Sequence, residues 1–475
     1  MEEQLEMEED ILSKQELLLK NGDAHGVNAD AKITSLLITS IFISILSPFV
    51  AGCSVAYSSP VQSQIISDLS LSTADYSLFG SALSIGGLFG SILCGRITDY
   101  LGRRATIGLI DVLGLVGWLS IAYSQGAWSL DIGRVLLGFA NSLSGYAVPV
   151  YIAEISPKNI RGGLMYLGQV MYFCGITTVL LVGVVMRWRL LALIGVLPCM
   201  VQFLGIFFIP ESPRWLVNYG RGEDYVNSLQ RLRGKTVDIS REAADIRDNF
   251  EHVGNIEGSS LTDMFHPKYA YALTVGLGLT ALASFGGATG ILYYATAIFE
   301  SAGFSGTIGT IAMALFQLPP SVLGVFLMDK FGRLPLLMFS AGGMSMACLS
   351  LALSFLLKEH GWLTDYSPYL ALIGVSIFSA TYPIGMGGVP AIITSEIYPM
   401  NIKGAAGSFI SVIGYFCDLI VSYSFNFMIG FSSPGTFFLL TSINVFTLFF
   451  VGKFVPETKG RTLEEIQVLL TQTVY

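Results

Sequence analysis

Val148-Pro-Val-Tyr-Ile-Ala-Glu-Ile-Ser-Pro-Lys-Asn-Ile-Arg-Gly162 is repeated, with changes, as Val389-Pro-Ala-Ile-Ile-Thr-Ser-Glu-Ile-Tyr-Pro-Met-Asn-Ile-Lys-Gly404. Two further pairs of motifs stand in the same order: Asp99-Tyr-Leu-Gly-Arg-Arg104 with Asp329-Lys-Phe-Gly-Arg-Leu334, and Pro210-Glu-Ser-Pro-Arg214 with Pro456-Glu-Thr-Lys-Gly460. Three pairs at matching positions are hard to obtain by chance. They indicate that the two halves of the chain arose by duplication.

The composition places this duplicated chain in a membrane. Hydrophobic residues make up 52% of the 475 residues and charged residues only 13%, against roughly 25% in ordinary globular proteins. So few charges cannot cover the surface of a soluble protein of this size, and the sequence therefore predicts a lipid-embedded chain. The formal net charge of -8 argues against nucleic acid as a partner, because phosphates need basic neutralisation.

Apolar runs recur at lengths near the roughly 20 residues that cross a hydrocarbon core of about 30 Å. Numbered as spans 1 to 12, they lie at 33–57, 76–97, 105–124, 130–153, 163–186, 190–209, 270–298, 306–328, 334–357, 368–394, 404–429 and 434–454. Together with the duplication, they predict an all-α membrane protein whose twelve transmembrane helices form two six-helix bundles. Both termini then lie on one side.

The distribution of Lys and Arg predicts which side this is. Twenty-two of them fall at the termini and on the connections that follow even-numbered spans, and only three on the opposite side. We call the crowded side the basic face. Cytoplasmic connections carry an excess of Lys and Arg, so the basic face and both termini are predicted to be cytoplasmic.

The bundles and the polar segments divide the chain into five parts. These are an acidic cytoplasmic tail at 1–32, an N-terminal bundle at 33–209, a small cytoplasmic helical module at 210–268, a C-terminal bundle at 269–455 and a cytoplasmic tail at 456–475. Helical charge patterns at Glu223–Arg233 and Ser240–His252 predict the helices of the module. Capping-box spacing at Ser260 and Asp263, and at Thr462 and Glu465, predicts two further helix starts.

A parallel duplication of six-helix halves is typical of transporters, whose substrate site lies near the bilayer midplane between the halves. The sequence gives little support to other classes. No nucleophile, base and orienting group occur at motif spacing, which argues against an enzyme. The six cysteines have no metal-ligand spacing, so no metal and no cofactor is predicted. A sensor that binds without transporting is a further alternative, although the short C-terminal tail has no room for a signalling domain.

Several motifs carry a more specific resemblance. Gly133-Arg134, the PVYIAEISP and PESPRW runs and PETKGRTLEEI resemble the sugar porter family of the major facilitator superfamily, from about residue 33 to residue 470. Within it they resemble the plant monosaccharide transporters of the early-response-to-dehydration type. The resemblance implies the major facilitator fold, alternating access and a monosaccharide substrate, with the lipid bilayer as surroundings.

The charged motifs at the basic face are candidate gate residues. They are Asp99, Arg103, Arg104, Glu154 and Arg161 in the first half and Asp329, Arg333, Glu396 and Lys403 in the second. Acids and bases alternate at matching repeat positions, so we expect ion pairs between the halves that close the cytoplasmic gate and break when it opens. The alternative is that these residues only cap helices and anchor the chain at the membrane surface.

The resemblance also implies where the substrate binds. The positions are Gln169, Ala283, Ser284, Thr289, Gln317, Ala391, Gly414 and Asp418, with Tyr293 and Tyr415 as further contacts. Sugar porters usually carry two glutamines at positions 283 and 284, asparagines at 289 and 317, and tryptophan at 391. Three or four lost hydrogen bonds of roughly 0.5–1.5 kcal/mol each would weaken hexose binding by one to three orders of magnitude. Either hexose is bound weakly or the substrate is another molecule.

Energy coupling is predicted from the charges inside the spans. Proton-coupled sugar porters pair an acid in span 1 with the arginine of span 4, but span 1 has no acid here, so Arg134 lacks that partner. This favours facilitated diffusion. Two acids nevertheless lie within spans: Asp111, which we expect near the basic face, and Asp418, roughly 21 Å into span 11 at 1.5 Å per residue. Coupling to protons through Asp418 and Arg134 therefore stays open.

We expect a hexose transporter that works by facilitated diffusion. The alternatives are a proton-coupled symporter that uses Asp418 and a divergent porter for a non-sugar plant metabolite. The acidic start from Glu2 to Asp10, followed by Ile11-Leu12, resembles acidic dileucine sorting signals. We therefore expect the vacuolar membrane rather than the plasma membrane.

Overall fold

The computed structural model describes residues 34–157, 160–219, 222–234, 237–240, 242–244, 246–247, 263–398 and 402–459. Within these ranges the chain is helical and contains no strand. Several predictions lie outside the described residues: the acidic start with its sorting signal, most of the helix at Ser240–His252, the cap at Ser260 and the helix after Thr462.

Within the described residues, twelve helical segments are long and apolar enough to cross a membrane, which agrees with the predicted number of spans. Span 1 consists of Ser35–Ser44 and Leu46–Ala56 and continues outward as Ser58–Leu69. Spans 2 to 6 are Thr73–Leu101, Arg103–Ala122, Ala127–Ile155, Arg161–Gly183 and Trp188–Gly205. Spans 8, 9, 11 and 12 are Gly306–Phe331, Arg333–Glu359, Lys403–Phe431 and Ser433–Phe454.

Spans 7 and 10 are broken. Span 7 is divided into Ala270–Phe285 and Ala288–Ala302, and span 10 into Ser367–Thr381 and Val389–Ile397. The break in span 7 is at Gly287, whose φ of 97° lies in the left-handed region that favours glycine. Irregular backbone at membrane depth is tolerated where it lines a cavity. The two breaks therefore point to the place where a cavity should be sought.

Helix ends within each half follow from local sequence. Ser72 and Asp75 form a capping box at the start of span 2, and Ser305 and Ser432 cap spans 8 and 12. These side chains satisfy N–H groups that have no partner inside the helix. The chain can therefore turn sharply at the membrane surface without leaving backbone donors unpaired.

Spans 2 and 4 show how closely the first bundle is packed. A Cβ atom on Gly86 would lie 1.9 Å from the carbonyl oxygen of Val135, and one on Gly138 would lie 1.9 Å from that of Leu83. Small residues allow two membrane helices to approach backbone to backbone. The two spans thus form a rigid pair inside the N-terminal bundle.

A short helical segment follows span 6 at the basic face. It contains Pro213–Asn218 and Gly222–Arg233. Thr34 donates to the carbonyl of Leu232 at 2.7 Å, and Arg233 donates to the carbonyl of Ile155 at 2.8 Å. Both bonds attach the segment to the N-terminal bundle.

Candidate functional site

A cavity of about 920 Å³ lies between the two bundles. Spans 1, 2, 4 and 5 form its wall on one side and spans 7 to 11 on the other. It extends to Ile152, Met328, Arg333 and Glu396 at the basic-face ends of their spans. Its volume is within the usual range for small-molecule sites. The cavity is therefore open toward the basic face.

The opposite end of the same interface is closed by hydrogen bonds between the halves. The backbone N–H of Thr296 in span 7 donates to the hydroxyl of Ser59 at 3.2 Å, and the two hydroxyls lie 3.1 Å apart. Asn426 in span 11 donates to Ser77 in span 2 at 3.0 Å. A cavity that is open at one face and closed at the other is the geometry that alternating access requires.

Most of the predicted substrate residues line this cavity. Gln169, Ser284, Thr289, Tyr293, Tyr415 and Asp418 are in its wall, as are Ala283 and Ala391. Gln317 is not. Its side chain is only 3% exposed because span 8 packs against spans 5 and 10, and its Oε1 atom has no hydrogen-bond partner among the described residues. Gln317 therefore does not line the cavity.

Asp418 lies against the break in span 7. Thr289, in the first turn after the break, donates a hydrogen bond of 2.7 Å to Oδ1 of Asp418, and the Ser284 hydroxyl also interacts with this carboxyl. The positive end of the Ala288–Ala302 helix dipole is at this first turn. A hydroxyl donor and a helix N-terminus together favour a negatively charged side chain here.

Gln169 connects the halves at the break in span 10. Its Nε2 atom donates to the carbonyl oxygen of Gly387 at 3.1 Å. Gly387 lies between the two helices of span 10, where carbonyl groups are not used by helical hydrogen bonds. A ligand that bound Gln169 would compete with this contact between the halves.

Arg134 is fully buried and has no carboxylate among its hydrogen-bond partners. It donates to the carbonyl oxygens of Ser54 and Phe79, and its Cζ atom lies 4.9 Å from the centroid of the Phe79 ring and 5.9 Å from that of Tyr293. One guanidinium nitrogen, Nη2, is buried and has no hydrogen-bond partner in the described part of the chain. Neutral partners from spans 1 and 2 thus replace the acid that proton-coupled family members place in span 1.

Asp131 is an acid that the sequence interpretation missed. It precedes Arg134 by one helical turn in span 4, and its buried Oδ1 atom has no hydrogen-bond partner within the ranges that the structure describes. The two side chains interact electrostatically, although they form no ion pair here. The spacing of three residues on one helix face was the available signal.

Other cavity residues were missed because they belong to no sugar-porter motif. Asn141 in span 4 donates to the Ser54 hydroxyl at 2.7 Å and lines the wall. Tyr172 was missed in the same way and also lines it. Asn141 follows Arg134 by seven residues, so both lie on one face of span 4, and this periodicity could have identified it.

Asp111 does not reach water at the basic face as we expected. The side chain is only 1% exposed and its Oδ2 atom has no hydrogen-bond partner among the described residues. A Cβ atom added at Gly114, one turn further along span 3, would lie 3.0 Å from the sulfur of Cys199 in span 6. Span 6 therefore covers this face of span 3.

The charged motifs at the basic face form one ion-pair cluster in each half. Arg103 contacts Glu154 at 3.0 Å and Asp99 at 3.2 Å, and Arg333 contacts Glu396 at 2.8 Å. In each of these pairs both residues belong to the same half. The ion pairs that we expected between the halves are therefore not formed by these residues in this conformation, because the cavity separates the halves here. The side chains of Arg161, Asp329 and Lys403 lie outside the described part of the chain.

Two carboxylates that were not predicted as site residues hold these clusters. Glu211 accepts hydrogen bonds from the backbone N–H groups of Arg103 at 3.0 Å and Arg104 at 3.1 Å. Glu457 accepts from those of Arg333 at 3.1 Å and Leu334 at 2.9 Å. Each carboxylate thus caps the first turn of span 3 or span 9, as helix N-termini favour. The repeat of PES and PET was the signal in the sequence.

The pKa values of the two capping carboxylates are shifted in opposite directions by their surroundings. Burial raises the pKa of Glu211, although the hydrogen bonds from Ser212, Arg104 and Arg103 oppose the shift. Partial burial acts in the same direction on Glu457, but backbone donors and the charge of Arg333 outweigh it, so its pKa lies below the ordinary value.

The family model described as "Sugar (and other) transporter" matches residues 35–470. The chain belongs to the sugar transporter family. This is a family of transporters and not of enzymes. Its members among curated proteins include "Sugar transporter ERD6-like 17" of Arabidopsis thaliana, which is 43% identical over 99% of this chain and 98% of its own length. "Sugar transporter ERD6-like 16" of the same plant is 44% identical over 92% of this chain and 90% of its own length.

Solved structures agree with the major facilitator fold. The inward-open conformation of the xylose transporter XylE from E. coli matches with a TM-score of 0.77 and 24% identity, over 91% of this chain and 99% of that one. The proton:xylose symporter XylE bound to 6-bromo-6-deoxy-D-glucose matches with a TM-score of 0.76, over 92% and 100%. The predicted family, the fold and the multi-pass membrane location are therefore confirmed, and sugar transport across a membrane is the function that the family and the relatives support.

Proposed function

We propose that this member of the sugar transporter family carries a hexose by alternating access and facilitated diffusion, without covalent chemistry. The observation that supports this most directly is the cavity between the bundles, open at the basic face and closed at the other by Thr296 with Ser59 and by Asn426 with Ser77. Rocking of the halves about this cavity would expose Gln169, Thr289 and Asp418 to each side in turn.

Facilitated diffusion is supported by the surroundings of Arg134. Its partners are carbonyl oxygens and aromatic rings, so its charge is compensated without an acid from span 1. A transporter whose conformational change does not require a proton moves its substrate down the gradient.

Proton coupling is the second candidate, and two observations favour it. Asp418 lies in the wall of the cavity, and Asp131 interacts electrostatically with Arg134. Either carboxyl could take up and release a proton during the transport cycle. A non-sugar plant metabolite remains the alternative substrate, since Ala283, Ser284 and Ala391 replace the usual sugar contacts.

Orientation and location belong to the same proposal. The Lys and Arg count places the basic face in the cytoplasm, so that the cavity is open inward, and the acidic start favours the vacuolar membrane. Fluorescent tags at both termini, with protease protection and co-localisation with vacuolar and plasma-membrane markers, would test these assignments.

Reconstituted vesicles test the transport mechanism. Uptake of radiolabelled hexoses, pentoses and polar metabolites should be measured with and without a pH gradient. We expect hexose to equilibrate without accumulating and without dependence on the gradient. Uptake of another metabolite alone would reject the sugar assignment, and concentrative uptake that collapses with the pH gradient would reject facilitated diffusion.

A further inference from the structure

One charged side chain in the cavity wall has no opposite charge beside it. Of the described side chains that line it, three are charged: Arg333, Glu396 and Asp418. Arg333 and Glu396 neutralise each other at 2.8 Å, at the basic-face end. Asp418 lies deeper, and the described side chains that bond it are the hydroxyl groups of Thr289 and Ser284. The deep part of the cavity therefore has a carboxyl group without an opposite charge beside it.

Two features of the local structure stabilise the negative charge of this carboxyl against the cost of its burial. Thr289 donates its only hydroxyl proton to Oδ1 of Asp418, and it lies in the first turn of the helix that starts at Ala288. Hydrogen bonds donated to a carboxylate and the positive end of a helix dipole both stabilise the negative charge. An ionised carboxylate out of water is costly unless a cation accompanies it.

Aromatic rings surround the same region. Tyr172 of span 5, Tyr382 after the first half of span 10 and Tyr415 of span 11 line the same cavity as Asp418. One face of Tyr382 is stacked on Phe378, with the ring centroids 5.8 Å apart. The faces of aromatic rings attract cations. A carboxylate among tyrosine rings is a combination that suits an ammonium group.

The buried arginine does not supply the missing charge. Arg134 is 0% exposed and is not part of the cavity wall, and its guanidinium lies over the ring of Tyr293 at 5.9 Å. Tyr293 thus stands between Arg134 and the cavity and already has a cation on one face. The positive charge for Asp418 must come from the cavity itself, either as a proton or as part of the ligand.

We propose that the cavity prefers a monosaccharide that carries a protonated amine, an amino sugar, whose ammonium group binds Asp418 among the rings of Tyr172, Tyr382 and Tyr415. This inference rests on the proposed sugar transport and specifies its substrate class. The hydroxyl groups of the sugar would bind the neutral wall, which includes Gln169 and Asn141. One charge-assisted contact would replace part of the hydrogen bonding that the alanines at 283 and 391 have removed.

Binding of three probes to the purified full chain tests the proposal. D-glucosamine is cationic, whereas N-acetyl-D-glucosamine and D-glucose are neutral. A hydrogen bond to a charged group contributes more than a neutral one, so we expect D-glucosamine to bind about tenfold more tightly than D-glucose. Asp418→Asn should abolish this preference, while Asp111→Asn, a carboxyl removed outside the cavity, should retain it. The proposal would be overturned if the native chain bound D-glucosamine and D-glucose equally, or if Asp418→Asn kept the preference for D-glucosamine.

The rings give a second test that does not depend on the folding of Asp418→Asn. Tyr382→Phe keeps the ring and should keep the preference for D-glucosamine, whereas Tyr382→Leu removes the ring and should reduce it several-fold. Identical selectivity in both variants would contradict the ring contact.

Counterflow in vesicles separates this inference from the proposed function. Exchange of D-glucose without exchange of D-glucosamine would reject the amino-sugar preference and leave sugar transport intact. If neither sugar is exchanged by a correctly folded chain, both proposals fail.

Discussion

Asn426 in span 11 donates a hydrogen bond of 3.0 Å to the hydroxyl of Ser77 in span 2, and it thereby joins the two halves at the face opposite the cavity mouth. Ser77 is fully buried and Asn426 is half-buried, so the bond is partly shielded from water. One turn further into the bundle, Tyr294 donates to the carbonyl of Ser422 at 2.9 Å and its hydroxyl lies 2.7 Å from where a Cβ atom on Gly80 would be. The closed end of the cavity is therefore a well-packed contact between spans 2, 7 and 11.

Loss of this contact should favour the opposite conformation. Asn426→Ala removes one hydrogen bond worth about 0.5–1.5 kcal/mol, so the population open at the opposite face should rise by roughly two- to tenfold. Distances between spin labels on spans 1 and 7 would measure the two populations. Ser424→Ala, whose hydroxyl bonds only the carbonyls of its own helix, is the matched control, and equal populations in both variants would show that Asn426 does not hold the gate.

The clusters at the basic face should matter for transport rate. Arg103 binds Glu154 through two nitrogens at 3.0 and 3.1 Å, and Arg103→Ala should lose about 2 kcal/mol of this interaction. We expect slower sugar exchange and a shift away from the state open at the basic face, because the pair is formed in that state. The exchanged pair Arg103→Glu with Glu154→Arg should recover part of the rate, whereas unchanged transport in Arg103→Ala would exclude a gating role for this cluster.

The caps predict a dependence of stability on pH. The pKa of Glu457 is lower in the folded chain than its ordinary value of about 4.3. Its contribution to stability is therefore complete above that ordinary value and is lost as the pH falls through the folded-state pKa. Thermal unfolding of the detergent-solubilised chain should show this acid loss, and Glu457→Gln should make the curve flatter between pH 5 and pH 3. An identical acid loss in both chains would assign it to other carboxyl groups.

Restoration of the family's sugar contacts tests the weakened site. Ala283, Ser284 and Ala391 all line the cavity, so Ala283→Gln, Ser284→Gln and Ala391→Trp together would place two amides and an indole in its wall. We expect D-glucose binding to tighten by about one order of magnitude or more. Isothermal titration of both proteins measures this. Absence of D-glucose binding before and after the change would favour a substrate of another class.

Energy coupling is tested by removal of two carboxyl groups. If the chain is a uniporter, Asp131→Asn and Asp418→Asn should leave the pH dependence of D-glucose exchange unchanged. Accumulation driven by a pH gradient in the native chain that disappears in one variant, with exchange retained, would make that residue the coupling site. Comparison of the two variants identifies which acid carries the proton.

The spans and the duplication could be predicted because both depend on local sequence. Hydrophobic length is a property of each run, and motif pairs such as Asp99 with Asp329 are visible without a structure. The depth of Asp418 in span 11 could also be estimated, since it follows from residue count, whereas its position in the cavity wall depends on the rotation of the helix. The partners of the charged residues depend on the conformation. The pairing of Arg103 with Glu154 inside one half could not be derived from the alternation of charges.

Other contacts depend on helix rotation, which neighbouring helices determine. Gln317 is polar and deep, yet the packing of span 8 turns it away from the wall. Asp131 lies one turn before Arg134 on span 4 and not on span 1, where the family resemblance places the acid. Glu211 and Glu457 accept hydrogen bonds from backbone N–H groups. Because every residue except proline has such a group, the side chains of the capped residues do not reveal the contact.

The hydrogen bond between Thr289 and Asp418 has a consequence for the thermodynamics of the transport cycle. Thr289 lies in the first turn of Ala288–Ala302, a helical segment that is kinked at Tyr294 and also carries Thr296. Thr296 contacts Ser59 across the interface between the halves. A ligand that draws Asp418 away from Thr289 changes the anchoring of this helix, so occupancy of the cavity and closure of the far end share a coupling free energy. Coupling of this kind is reciprocal. If the ligand changes the equilibrium constant for opening of the far end by some factor, opening changes the ligand's binding constant by the same factor.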